Sequence, residues 1–238
     1  MTNRCKLYFN FMPTEFILNI NKVGENMNLI DSIIFDLDGT LWDATDITFR
    51  AWEKILKDRK EIKEPITLEM YQSVQGMQAA EIGAKFFPYL SEKDQMDLVN
   101  ICCEAENPLI LKEGGILYNN LESTLEKLAE RYPLFIVSNC HDGYIEAFLE
   151  YHELSHYFKD IESAGATGLS KGENIKLIIE RNRLKHPIYV GDTEGDCSSA
   201  RQAKVPFVFA SYGFGSVKDY DMKIDDITDL LKVVSQDN

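Results

Sequence analysis

The sequence predicts an α/β fold: an open parallel sheet covered by helices, with a helical cap inserted after the first strand. Three observations predict it. Short apolar, β-branched runs recur, and each ends at polar residues, with a glycine close by in most cases. Amphipathic helical patterns separate these runs, as parallel βαβ units require. One long stretch, between the first run and the rest, contains helical patterns only.

Taken in order, residues 1–26 look appended. Arg4 and Lys6 precede an aromatic-rich run over 7–20, but Asn10, Pro13, Glu15 and Asn19 interrupt it and no small-residue cleavage site follows, so it does not read as a signal peptide. Met27 makes a natural start for an α/β domain; the alternative is an extra strand or helix packed on that domain. The first strand, 32–35, is buried on both faces and ends at Asp36. From 44 to 113 no strand is predicted. Helical patterns at 47–59, 78–86 and 91–105, separated by Pro65, Gly76 and Pro88, form the cap. Gly114 and Gly115 at the return suit a hinge or an ordinary turn equally well. The core therefore comprises 27–43 and 114–238. Its later elements are a helix at 121–131, a strand at 134–137 entering Ser138-Asn139, and helices at 144–152 and 172–183. A strand at 188–190 then enters Gly191-Asp192, followed by a helix at 197–203 and a strand at 207–210.

Composition narrows the function classes. The chain has 238 residues, 45% hydrophobic and 27% charged, with 7 Pro and 14 Gly, the profile of a globular protein and not of a disordered one. Its net charge of −14 repels nucleic-acid backbones and anionic membrane surfaces. No apolar run approaches the roughly 18 to 20 residues that span a bilayer. Five cysteines, an odd number with one adjacent pair and no metal-ligand spacing, suit reduced thiols. The expectation is a cytoplasmic protein with no nucleic-acid or membrane partner.

In open parallel sheets ligands bind at the carboxyl ends of the strands, and there the polar residues of this chain collect. Asp36 and Asp38, at i and i+2 of an extended segment, project to one side, and Gly39 lets the backbone turn away. A calcium loop is disfavoured, because Leu41 stands where that loop needs glycine and a strand precedes it where a helix should. Ser138 and Asn139 offer a hydroxyl and N–H groups to an anion. Lys171 precedes a helix start, where cation and helix N-terminus both favour a phosphate. Asp192 and Asp196 add a second acid pair. Each has a plain reading as a cap, a solvated lysine or a turn; together, on one rim of one sheet, they read as a site.

In order, Asp36-Leu-Asp-Gly-Thr-Leu41, Val137-Ser-Asn139, Lys171 and Gly191-Asp-Thr-Glu-Gly-Asp196 resemble the four motifs of the haloacid dehalogenase superfamily, and within it the phosphoglycolate-phosphatase-like and β-phosphoglucomutase-like branch with a helical cap. The resemblance covers about residues 30 to 215. It departs at Lys171-Gly-Glu-Asn, where many relatives carry Lys-Pro-x-Pro, and at Lys204, where glycine is common. It implies a Rossmann-like core and a magnesium-dependent phosphatase. Asp36 would be the nucleophile that forms an aspartyl-phosphate, and Asp38 the general acid and then base. Asp36, the backbone carbonyl of Asp38, and Asp192 would hold Mg²⁺, with Asp196 orienting that shell from outside. Ser138, Asn139 and Lys171 would hold the phosphoryl oxygens.

In the cap, Gly76, Met77 and Gln78 resemble the family's substrate-selecting loop, though a helix-to-helix turn explains Gly76 equally. His141 and Asp142 suit a loop or cap role, Cys140 and Cys197 packing, and Trp42 and Asp43 the entrance. The function expected is hydrolysis of a small phosphorylated metabolite, phosphoglycolate-like or sugar-phosphate-like. The alternatives are a phosphomutase and a non-catalytic phosphometabolite-binding protein.

Overall fold

The computed structural model describes residues 30–235, so the segment 1–26 and the proposed start at Met27 lie outside the described residues. In chain order, β1 (Ser32–Phe35) leads through β2 (Trp42–Asp43) into five helices: α1 (Thr45–Leu56), α2 (Leu68–Gln72), α3 (Ala79–Phe86), α4 (Glu92–Glu104) and α5 (Glu106–Glu113). The chain returns through β3 (Ile116–Leu117) to α6 (Leu121–Ala129), β4 (Leu134–Ser138), α7 (Tyr144–Tyr151) and β5 (Phe158–Ser163). Then come α8 (Ala164–Thr167), α9 (Lys171–Asn182), β6 (Pro187–Gly191), α10 (Glu194–Ala203), β7 (Phe207–Ala210), β8 (Met222–Ile224) and α11 (Asp229–Val234).

Six of the strands form one parallel sheet in the order β5-β4-β1-β6-β7-β8. β1 is central, pairing Ile33 with Leu134 on one side and with Ile188 on the other. Successive side chains alternate between faces. Ile33, Phe35, Leu134, Ile136, Ile188 and Val190 pack under α6, α7 and α11, while Ile34, Phe135, Val137 and Tyr189 pack under α9 and α10. Covering both faces explains why these strands read as unbroken apolar runs. Each fully buried aliphatic or aromatic side chain contributes about 1.5–3 kcal/mol.

The helical block has a third cluster of its own, built around Trp52, Leu56, Tyr71, Val74, Phe86, Phe87, Leu98 and Val99. Entry and exit run side by side, because β2 pairs antiparallel with β3, Trp42 opposite Leu117. Gly114 and Gly115 serve this crossing by close approach: a Cβ on Gly114 would strike the Tyr151 ring, and one on Gly115 the Trp42 ring. Among the described residues no helix is long and apolar enough to cross a membrane.

Several expectations change. β5 and β8 were not anticipated; β5 reads Phe-Lys-Asp-Ile-Glu-Ser and is only partly buried, as an edge strand permits. α5 was also not anticipated; Pro108 stands in its first turn, where proline costs no hydrogen bond. α10 begins three residues before the expected 197, since Thr193 and Asp196 form a capping box. Trp42 does not line an entrance; it is fully buried against Phe148, ring centroids 4.8 Å apart, and Asp43 accepts the Thr45 N–H at the start of α1. Lys204 caps α10 in the left-handed region at φ +61°, a conformation in which glycine is unstrained.

Candidate active site

The ends of β1, β4 and β6 and the starts of α9 and α10 converge on one group of buried charges. Lys171 is the first residue of α9, whose capping box, Ser170 with Glu173, fixes the turn. Its ammonium, 2% exposed, donates to Asp36 Oδ1 at 2.8 Å and to Asp196 Oδ1 at 2.6 Å. Asp196, in the first turn of α10, takes further donors: the Tyr189 hydroxyl at 3.3 Å on Oδ1, and on Oδ2 the Thr193 N–H at 3.0 Å, the Thr193 hydroxyl at 2.6 Å and the Asp192 N–H at 3.3 Å. Asp192, fully buried at the end of β6, accepts the Phe214 N–H at 2.7 Å and the Thr40 hydroxyl at 3.4 Å. Gly39 makes this approach possible, since a Cβ there, at φ +78°, would strike the Asp192 carboxylate.

Carboxylate oxygens of Asp36, Asp192 and Asp196 all lie within 4.8 Å of one another. Against three acids stands one lysine. Burial, then the Asp196 charge, raises Asp36 well above the carboxylate range; burial and Asp196 likewise push Asp192 up to about 7. Burial alone would depress the Lys171 ammonium, but the Asp196 and Asp36 carboxylates outweigh it and raise it, so the lysine stays charged. The group is short of positive charge, and its donors are all hard oxygens, a set that fits Mg²⁺.

Above this floor lies a cavity of about 400 Å³ between sheet and helical block, lined by Asp36, Asp38, Ser138, Asn139 and the segment Gly76-Met77-Gln78. Asp38 accepts the Tyr144 hydroxyl at 2.9 Å, and burial, opposed by that hydrogen bond, pushes it up to about 6. Ser138 uses its oxygen on the Cys140 N–H at 3.4 Å, leaving its own hydrogen free. The Asn139 amide donates to the Gly76 carbonyl at 2.8 Å, which ties β4 to the helical block. Gln78 caps α3 with Glu81. The structure thus brings together Asp36, Lys171, Asp192 and Asp196 as direct neighbours, with Asp38, Ser138 and Asn139 on the cavity wall, and Gly76, Met77 and Gln78 opposite.

Sequence reasoning missed Tyr144 and Glu106. Tyr144 looks like a core aromatic at a helix start. Glu106, 5% exposed, accepts from Trp52 Nε1 and from the Tyr71 hydroxyl at 3.2 Å, and burial, opposed by the Trp52 hydrogen bond, pushes it up to about 8. Its signal, an acid before Asn-Pro, reads as surface.

These shifts set a pH dependence. Asp38, Asp192 and Glu106 hold protons more tightly when folded, so their contribution to stability is complete below their unfolded values near 4 and is lost as pH rises through about 6 to 8. In chelator, Tm is expected to fall from pH 5.5 to 8.5, and Glu106→Gln to flatten the upper part of that fall. Melting curves across the range check this; a Tm that climbs throughout contradicts it.

The sequence profile described as haloacid dehalogenase-like hydrolase matches residues 33–210. A phosphoglycolate phosphatase from Aliivibrio fischeri is 28% identical over 87% of this chain and 97% of its own length. Another from Rhodobacter capsulatus is 26% identical, covering 77% and 85%. Among solved structures, a haloacid dehalogenase-like family hydrolase from Streptococcus pneumoniae superposes with a TM-score of 0.74 at 22% identity, over 85% of this chain and 97% of that one. CbbY from Rhodobacter sphaeroides, solved in complex with phosphate, has a TM-score of 0.74 at 16% identity, over 87% and 99%.

Proposed function

From the premise that this chain belongs to the haloacid dehalogenase-like hydrolase family and is a phosphatase, we propose that it hydrolyses a small phosphate monoester through Asp36, Asp38 and a bound Mg²⁺. One observation carries the assignment: Asp36, paired with a buried lysine, opens with Asp38 onto a single cavity. Asp36 attacks phosphorus, forming the aspartyl-phosphate as the bond to the leaving oxygen breaks. Asp38, pushed up to about 6, holds a proton near neutrality more readily than an ordinary aspartate and delivers it to that oxygen. It then takes a proton from the water that attacks the aspartyl-phosphate. The Tyr144 hydroxyl fixes its orientation.

Mg²⁺, held by Asp36, the Asp38 carbonyl and Asp192, supplies charge neutralisation for the phosphoryl oxygens when bound. The donors crowding both oxygens of Asp196 support its role as the orienting residue. Lys171 spends two of three N–H groups on carboxylates and keeps one for a phosphoryl oxygen. Ser138 and Asn139 serve the same group from β4. Residues 44–113 act as the cap, with Gly76, Met77 and Gln78 facing the substrate, a reading supported by the block's separate apolar cluster. The free thiols of Cys102, Cys103, Cys140 and Cys197 support a cytoplasmic setting.

The test is p-nitrophenyl phosphate hydrolysis. Turnover with millimolar Mg²⁺ is expected to fall to background in excess chelator and to return on adding the metal back. Turnover that ignores chelation overturns the metal's role, and no turnover of any phosphate monoester overturns the enzyme.

A further inference from the structure

The cavity carries acidity that the phosphoryl chemistry does not use. Glu106 and His141 line the same cavity as Asp36 and Asp38, and none of the described residues lining it is lysine or arginine. Glu106 engages Oε1 with Trp52 and Tyr71, while its Oε2 lies 3.7 Å from His141 Nδ1, beyond hydrogen-bond reach. The tautomer of His141 follows from its neighbour. Asn107 donates its amide N–H to the Asp142 carbonyl at 3.1 Å, which turns Asn107 Oδ1 toward His141 Nε2 at 2.8 Å. Nε2 therefore carries the proton and Nδ1 presents a lone pair. Burial holds His141 down at about 4, so the ring is neutral near pH 7. Two polar atoms, Glu106 Oε2 and His141 Nδ1, thus face each other 3.7 Å apart without a hydrogen bond between them.

Resting on the phosphatase reading, we propose that Glu106 Oε2 and His141 Nδ1 receive a protonated amine on the leaving alcohol, so that the substrate is the phosphate monoester of an amino alcohol. An ammonium seated there donates to both atoms and, as a neighbouring positive charge, draws the Glu106 carboxyl, which burial otherwise keeps protonated, into its ionised form. A carboxylate in the same place meets the His141 lone pair and no cation. Selection here is therefore opposite in sign to selection at the floor, where Lys171 would meet the phosphoryl group and a bound metal would add positive charge. Phosphoglycolate, named for the curated relatives, carries the disfavoured group.

The experiment compares kcat/KM at pH 7 for matched two- and three-carbon phosphate monoesters ending in amine, hydroxyl or carboxylate, the carboxylate set including phosphoglycolate. Wild type is expected to favour amine over hydroxyl by about tenfold or more and over carboxylate by about a hundredfold, mainly through KM. Glu106→Gln is expected to collapse the amine-to-hydroxyl ratio toward one. Equal use of amine and hydroxyl by wild type, or preference for the carboxylate, overturns the proposal even if the variant does not fold. A ratio unchanged in folded Glu106→Gln overturns it as well. Hydrolysis of p-nitrophenyl phosphate without amine preference removes this inference alone, whereas no hydrolysis of anything removes the phosphatase reading with it.

Discussion

Asp36→Asn is expected to cut phosphate release by about 10⁴-fold or more while leaving Tm unchanged or slightly raised. The two halves of that result have separate causes. An amide cannot attack phosphorus, so the covalent route is closed, and what survives comes from the charges that still hold the phosphoryl group. Stability moves differently because Asp36 is buried and its ionisation is opposed by Asp196 as well as by burial. The amide oxygen can still accept from Lys171, which keeps its shorter contact to Asp196 at 2.6 Å. Steady-state phosphate release and calorimetry on the same sample check both halves. Activity within tenfold of wild type removes Asp36 as nucleophile.

Lys171→Met is expected to damage both stability and turnover. The thioether fills similar space but leaves Asp36, Asp192 and Asp196 with no cation among them. Breaking a buried ion pair from one side costs about 3–5 kcal/mol, roughly 10 °C in Tm for a protein of this size. With the lysine gone, the acids hold protons more tightly still, so the loss should shrink as pH falls from 7.5 to 5.5. Turnover should drop by about 10³-fold or more, since the phosphoryl oxygens lose a charged donor. Melting curves at both pH values, with and without Mg²⁺, decide it: a Tm within a degree of wild type at pH 7.5 shows that the lysine does not balance these acids.

The sequence made the floor of the site legible and the cavity wall at Tyr144 and Glu106 illegible, for a physical reason. Asp36, Asp38, Lys171, Asp192 and Asp196 lie at strand ends and helix starts, where chain direction alone aims side chains at one rim, so local pattern locates them. Tyr144 and Glu106 matter through partners far away in sequence, Asp38 and Trp52, and nothing local distinguishes them from a core aromatic and a surface acid. The same limit hid β5, whose charged residues are tolerated because it has one sheet neighbour. It hid α5 differently, since a proline in a first turn looks the same in sequence as a proline that breaks a helix.

The pairing of β2 with β3 also bears on how the chain folds. β1 must find β4 about 100 residues downstream, and Ile33 against Leu134 is a slow, high-contact-order event for an open coil. The helical block fills most of that interval with near-neighbour contacts and its own apolar cluster, and it delivers its two ends as adjacent strands. Once it has formed, the effective loop between β1 and β4 shrinks to residues 36–41 before the crossing and 118–133, mostly α6, after it. An insertion that looks like a burden on the sheet shortens the search by which the sheet assembles.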